Sequence, residues 1–590
     1  MEKWMVAAKK ADFDRWAKDY NISPVLARII RNRDIVEEEQ VSLFLNGGLK
    51  DCHSPWLLKD MDKAVELLCA AIDEQVYIRV IGDYDVDGIC SAFILTKGLM
   101  ECGAKVDTAI PHRIKDGYGL NDSLIEEARA DGVGLIITCD NGIAAPEQIA
   151  LAKSYGIRVV VTDHHEVPYE MNGEKKVELL PTADAVVDPK QEACKYPFKS
   201  ICGGVVAYKV IQALTEKLQF VRKEWLGEYL LPFAAMATVC DVMELKDENR
   251  IIVKEGLRRF ATTENHGLLA LMEVNELDKE NISGYHLGFV IGPCLNATGR
   301  LDSAVRALEL LQSNTKQVAM KAARELKELN DSRKNLTLEG VKKAKEQIEV
   351  EKLYEQDVMV VYLPQVHESL AGIIAGRIRE QYYHPVFVLT DGEEGVKGSG
   401  RSIESYPMYD SLVEVKELLT KFGGHKLAAG VSLPPENVEI FRMQLNKKSK
   451  LAAEDFVPVV HIDVPMPLSY ASMSLAKEIE RLEPYGVGNP KPLFAQKDVV
   501  FVGGRRIGVN KNFGKFSVLV ERDGYRRRED LMYFGDLEAF LVAVDEKHGP
   551  GSSESMMNGR SQVTMSVVYQ LGINAFRGQE SLQYIMTNYS

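Results

Sequence analysis

The stretch Tyr77-Ile-Arg-Val-Ile-Gly-Asp83-Tyr-Asp85-Val-Asp87-Gly88 decides the fold class of this 590-residue chain. A short β-branched run, 76–81, ends in three carboxylates at alternate positions. Helical patterns flank it at 61–74 and 91–102. The grammar then repeats. The run 133–138 ends in Asp140-Asn-Gly, a helical pattern occupies 146–155, and the run 157–162 ends in Asp163-His164-His165. Shorter runs lie at 106–110, before His112-Arg113, and at 185–187. Apolar runs of strand length separated by amphipathic helices predict βαβ units and a parallel sheet. The cleft of such a sheet lies at the carboxyl ends of its strands. Successive strands therefore deliver Asp, Asp and Asp-His-His to one edge.

Outward from this core, 1–55 reads as a helical lead-in and 204–260 as helical. Residues 304–352 are charged, rich in Ala, Leu, Lys and Glu, and free of Pro, which predicts one long helix joining two domains. A second α/β segment opens at 358–363 and closes near 446. The Pro-rich stretch 458–467 reads as a linker. Short β-like runs at 499–502, 516–520 and 564–569 then predict a small β-barrel or sheet. By composition 549–559 is a loop, and 169–182 is an insertion before the next strand. The boundaries expected are a lead-in at 1–55, a catalytic domain at 56–303, a connecting helix at 304–352, a smaller α/β domain at 353–457 and a β domain at 458–590.

Hydrophobic residues make up 46% of the chain and charged residues 27%, which excludes wholesale disorder, collagen-like repeats and a small disulfide scaffold. The formal charge is −14. Binding DNA by overall charge is thereby excluded, and any nucleic-acid role rests on local patches or metals. The nine cysteines form no CxxC pair, which argues against a zinc ribbon or redox motif. No apolar run approaches the roughly 18 residues of a membrane span. A soluble, cytoplasmic chain without membrane contact is expected.

Oxygen and imidazole ligands without thiolates suit Mn²⁺ or Mg²⁺ better than a structural zinc. A further carboxylate, Asp241, ends the apolar helical pattern 230–240. A single Asp at a strand end is commonly a helix N-cap. Its recurrence on three strands points to cations, because crowded carboxylates repel unless a cation or proton holds them together.

Asp83–Gly88, Asp140-Asn-Gly, Asp163-His-His and Asp241 resemble the four motifs of the DHH phosphoesterase superfamily. Gly292-Pro-Cys-Leu-Asn296-Ala-Thr-Gly299-Arg300 and Leu329-Asn330-Asp-Ser-Arg333 resemble segments of its RecJ family. His367-Glu-Ser-Leu-Ala-Gly372, Gly398-Ser399-Gly400-Arg401 and Gly423-Gly424-His425 are similar to its companion DHHA1 domain. Leu482-Glu-Pro-Tyr-Gly486-Val-Gly488-Asn489-Pro490 resembles the entry to that family's OB-fold. Two positions depart from the pattern. Ile81 stands where some relatives carry a His, with Asp83 available to compensate, and Cys294 stands where Arg is common.

The resemblance implies an α/β DHH parallel-sheet domain joined by a long helix to a smaller α/β DHHA1 domain, plus a C-terminal OB-like β-barrel. It implies a 5′→3′ exonuclease of single-stranded DNA using two divalent cations, Mn²⁺ or Mg²⁺, in recombination and repair. Asp83, Asp85, Asp87, Asp140, His164 and Asp241 are then the metal ligands. Asp163 orients His164, while His165 and Arg300 stabilise phosphoryl oxygens. Arg113, Ser399 and Arg401 surround the terminal 5′-phosphate, and Gly424 and His425 bind substrate. The implied partners are single-stranded DNA, a helicase and a single-strand-binding protein, with the chain a monomer.

Between Phe501 and Gly535, eight basic residues face four acidic ones, with Phe513, Phe516 and Tyr525 interleaved as a base-stacking platform requires. The rival readings are an oligonucleotide or cyclic-dinucleotide phosphodiesterase, disfavoured by the extra β region at 485–590, and a non-catalytic replication module, disfavoured by the retained carboxylates.

Overall fold

The computed structural model describes residues 2–113, 119–173, 175–392, 395–522, 524–576 and 578–590. They form two compact units. One comprises Met1–Asp51, Glu244–Asp247 and Pro458–Ser590; the other comprises Cys52–Met243 and Glu248–Val457.

The second unit is built on a five-stranded sheet in the order Lys105–Ala109, Tyr77–Ile81, Leu135–Cys139, Arg158–Thr162, Ala185–Val187, with every pair parallel. The three middle strands are covered on both faces, which is why their sequences run apolar without alternating. Ile78, Val80, Leu135 and Ile137 join one core with the helices Val86–Glu101 and Gly203–Lys217. Ile136, Val159 and Val161 join another with the helices Asp122–Ala130 and Pro146–Ser154. The segment 169–182 contains a hairpin of Tyr169–Asn172 with Lys175–Glu178.

The single helix expected over 304–352 is two helices, Val305–Leu311 and Lys316–Val350. Thr315 restarts the helix by accepting the Val318 N–H, a side-chain cap that competes with uninterrupted helix. Ala319, Ala323 and Leu326 of the longer helix belong to the core of the parallel sheet. Ala344 and Ile348 belong to a second core, shared with Met359, Val361 and Ile374. That core lies under a five-stranded sheet ordered Lys421–Gly424, Ala428–Leu433, Gly395–Arg401, Val386–Gly392, Met359–Tyr362, antiparallel except for its last pair.

The other unit holds a closed five-stranded barrel. Phe494–Ile507, Phe513–Arg522, Tyr525–Tyr533, Gln579–Tyr589 and Val563–Phe576 pair in that order, and the last pairs back to the first. Two composition-based readings are corrected here. Residues 458–467 are not a linker: Val459–Ile462 pairs in parallel with Lys3–Val6. The β-branched Val459-Val460-His461-Ile462 outweighs its flanking prolines. Residues 549–559 are not all loop: Ser552–Met557 is helical, with Met556 buried and Asp545 accepting from Ser553 N–H and Oγ–H. Leu26, Ile29, Ile30 and Val41 share the barrel's core with Leu475 and Ile479. Arg33 binds Asp463 through two nitrogens, at 2.6 and 3.1 Å.

Candidate metal centre and phosphate pocket

Each central strand hands its chain to a tight turn at its carboxyl end, and the turns hold the carboxylates. Asp85 is the N-cap of Val86–Glu101, its Oδ1 accepting from the N–H groups of Asp87 at 2.9 Å and Gly88 at 3.1 Å. The commonplace N-cap role and membership of the cluster therefore coexist in one residue. Asp87 accepts from the N–H of Gly203 at 2.8 Å and of Gly204 at 2.7 Å, at the start of Gly203–Lys217. A Cβ on Gly203 would lie 2.7 Å from that of Asp140, so this close approach requires glycine. Asp140 itself adopts φ +60, a left-handed conformation that is uncommon outside glycine and frequent at functional sites.

The imidazole of His164 faces three carboxylates. Its Nε2 lies 3.0 Å from Asp140 Oδ1, 3.5 Å from Asp87 Oδ2 and 3.7 Å from Asp241 Oδ2. Asp241 arrives from elsewhere in the chain, as C-cap of the helix Lys223–Cys240. Among the described residues, ligand atoms converge within 4.8 Å in three sets: Asp140, His164 and His165; Asp87, His164 and Asp241; Asp83, Asp85 and Asp140.

Asp163 does not orient the His164 ring as expected. Its Oδ1 contacts His165 Nδ1 at 2.7 Å and accepts the His164 backbone N–H at 2.7 Å, while Oδ2 accepts from Ile143 N–H. Burial alone would raise the Asp163 pKa, but the hydrogen bond and charge of His165 hold it below the ordinary range. Burial opposes the charged form of His165, yet the hydrogen bond to Asp163 carries its pKa up to about 9. Burial lowers the pKa of His164.

The cluster fits cations. Burial, then the charge of Asp85, pushes the pKa of Asp83 up to about 8. Burial, then the charge of Asp87, does the same to Asp241, and burial with neighbouring carboxylates raises Asp140 and Asp85. Asp83 Oδ1 accepts from Gly119 N–H at 3.3 Å, while its buried Oδ2 has no hydrogen-bond partner. An orphan carboxylate oxygen in a crowd of acids is what a hard cation satisfies.

Beside the acids lies a run of guanidinium groups. Arg300, on Gly292–Leu301, donates to the Ser369 carbonyl at 2.8 Å. Burial, then the field of Arg113, lowers its pKa to about 10, with Arg333, Asp85 and Arg401 also within reach. Arg113 stacks over the Tyr84 ring at 4.7 Å. Arg401 lies 3.4 Å from Ser399 Oγ, and a Cβ on Gly372 would come within 2.9 Å of its guanidinium and 3.0 Å of that hydroxyl. Gly424 and His425 form the exposed turn of a hairpin, with His425 N–H donating to Ala428 O at 2.8 Å. The field of His425 reaches Glu166, next to His165 in the chain.

One residue escaped the sequence reading. Asp188 follows the strand Ala185–Val187, fully buried, with Oδ2 unpartnered. Burial, then the charge of Asp163, raises its pKa to about 8. Its signal was the same one, a carboxylate after an apolar run. Arg333 and Arg377 lie close enough to influence each other. Both close stretches that carry the family resemblance, 329–333 and 367–377, but that resemblance gave neither arginine a role, and charge on a helix ordinarily marks a solvated face. On the barrel, Arg505, Arg526, Arg527 and Arg528 are exposed, and Tyr525 is 71% exposed. Phe516, however, is buried in the barrel core and not available as a platform, and Phe513 packs edge-on against Phe534 at 5.5 Å.

Models of three families match the chain: DHH family, N-terminal domain at 77–237, DHHA1 domain at 355–450 and RecJ OB domain at 462–588. The single-stranded-DNA-specific exonuclease RecJ of Bacillus subtilis is 35% identical over 96% of this chain and 68% of its own length. That of Escherichia coli K12 is 32% identical over 96% of each chain. The crystal structure of RecJ in complex with Mn²⁺ from Thermus thermophilus matches at a TM-score of 0.80 and 26% identity, covering 100% of this chain and 79% of that one. A Mg²⁺ complex from the same organism matches at 0.73 and 25%. With its DHH, DHHA1 and OB domains in that order, this chain belongs to the RecJ family.

Proposed function

We propose that the protein is a metal-dependent exonuclease that hydrolyses single-stranded DNA from its 5′ end. The observation that carries this reading is the convergence of Asp83, Asp85, Asp87, Asp140, His164 and Asp241 at the strand ends, beside Arg113, Arg300 and Arg401. The six acid and imidazole residues would hold two divalent cations, Mn²⁺ or Mg²⁺. When bound, such a pair activates a water and clamps the attacking and leaving oxygens. The remaining steps belong to the chain. Asp163 fixes the ring of His165 and keeps it protonated near neutrality, so that its free edge and Arg300 meet the phosphoryl oxygens as charge builds there. Arg113, Ser399 and Arg401 receive the terminal phosphate, a task suited to the planar fork of Arg. Gly424 and His425 close on substrate from the hairpin.

The reading retains the domain division at 56–303, 304–352, 353–457 and 458–590, with the exposed arginines of the barrel adding affinity for the strand. It places a monomeric chain in the cytoplasm, acting in recombination and repair with a helicase and a single-strand-binding protein. Among the described residues, no helix is long and apolar enough to cross a membrane.

The test uses 5′- and 3′-labelled single strands with Mn²⁺, with and without a 5′-phosphate. Nucleotide release should begin at the 5′ end and favour the phosphorylated strand about ten- to a hundredfold, the worth of one charge-assisted hydrogen bond. Arg401→Ala should lose most of that preference. Asp140→Ala should lose cleavage while keeping its melting temperature. Cleavage near wild type in Asp140→Ala would overturn the centre.

A further inference from the structure

Tyr285 and Phe289 are exposed by 64% and 68%. Their rings nevertheless stack on each other, with centroids 5.1 Å apart and planes inclined by 23°. Tyr285 lies in the short helix Gly284–His286 and Phe289 in the π-helical turn Leu287–Ile291, which runs straight into Gly292–Leu301. Single π turns within helices are rare and concentrate at functional sites.

The buried side of this turn packs on the end of the helix that delivers Asp241. A Cβ on Gly288 would lie 3.6 Å from Val239, and one on Gly292 would lie 2.5 Å from Cys240 Sγ. Val242, immediately after Asp241, is also 64% exposed, with φ +59. Along the helix the half-buried positions Pro293, Asn296 and Arg300 follow. Steps of three and four place these residues on one face. Phe289 and Arg300 are eleven residues apart, about 16 Å along the axis at 1.5 Å per residue. An aromatic shelf therefore lies at one end of the face and the phosphate-binding guanidinium at the other.

We infer that the Tyr285–Phe289 pair is a stacking shelf for a nucleobase of the strand held at the neighbouring centre. The inference rests on the nuclease reading above. The exposed residues of the shelf, Tyr285, Phe289 and Val242, carry no charge, so a contact made there is with a base and not with a phosphate. Every base presents a π face, and stacking on an aromatic ring tolerates any sequence. Two rings and one valine are too small for a protein partner, which needs about 800 Å² per side.

The test compares wild type, Phe289→Ala, the double variant Tyr285→Ala/Phe289→Ala and Phe289→Trp, as full chains, on a 5′-phosphorylated 20-nucleotide single strand with Mn²⁺. A second substrate series carries one abasic site, moved stepwise from the 5′ end. Phe289→Ala should raise KM roughly tenfold, in the range expected for one stacked base, with a smaller change in kcat, and Phe289→Trp should restore KM. The dependence of KM on salt should keep its slope, because no phosphate contact is lost. At one abasic position wild type should lose the same factor, and Phe289→Ala should lose nothing further there. Unchanged KM in both alanine variants, or insensitivity of wild type to every abasic position, overturns the shelf. A wild type that cuts no strand overturns the nuclease reading itself, and the shelf with it.

Discussion

Asp83 and Asp241 each hold a proton up to about pH 8, driven first by burial and then by the charges of Asp85 and Asp87 respectively. In an unfolded chain the same groups titrate near about 3.9. Between those limits the folded metal-free protein binds more protons than the unfolded one, so its stability falls as pH rises through the window. His165 contributes on the alkaline side. Its pKa is raised to about 9, so the stability it adds is present in full below about 6.5 and is lost as pH rises through about 9. The melting temperature of the metal-free protein should therefore decline from about pH 5 to pH 8, and saturating Mn²⁺ should raise it more at the higher pH. Equal shifts at both values in a fluorimetric melt would show that the carboxylates do not answer to the cation. At this scale the sequence was informative wherever a carboxylate followed an apolar run, and Asp188 carried that signal as plainly as Asp140 did. Phe516 was ambiguous, because an aromatic in a short strand reads alike whether it faces a core or a base.

The helix Gly203–Lys217 shows how an element is fitted to the centre. Its first two N–H groups hold Asp87, and a Cβ at Gly204 would lie 2.4 Å from that of Ala237. Gly203→Ala pushes directly on Asp140. Overpacking of this kind costs about 1–3 kcal/mol, and the displaced carboxylate should weaken Mn²⁺ binding at least tenfold. Chemical denaturation and a Mn²⁺ titration of the same variant separate the two effects. Wild-type Mn²⁺ affinity would show that the centre tolerates movement of Asp140. The sheet was legible because strands buried on both faces leave continuous apolar runs. The capping contacts were not, since nothing near Gly203 in the sequence names Asp87 as its partner.

At the level of the whole molecule, the barrel unit takes its residues from both ends of the chain. The pairing of Lys3–Val6 with Val459–Ile462 has no local signature, and composition alone made a linker of one strand. Removing 458–590 by itself should strip Leu26, Ile29, Ile30 and Val41 of the core they share and cause aggregation. Removing 1–51 as well should restore a monodisperse 52–457 fragment on gel filtration. A well-behaved 1–457 chain would show that the terminal helices do not need the barrel. The 35-residue helix Lys316–Val350 enters the core of the parallel sheet at one end and that of the antiparallel sheet at the other. An α-helix turns by about 100° per residue. The helix is therefore a key cut to a phase as well as to a length. One residue gained or lost along it swings Arg401 around the axis away from Arg300, whereas a change of seven residues, close to two full turns, preserves the bearing and alters only the reach.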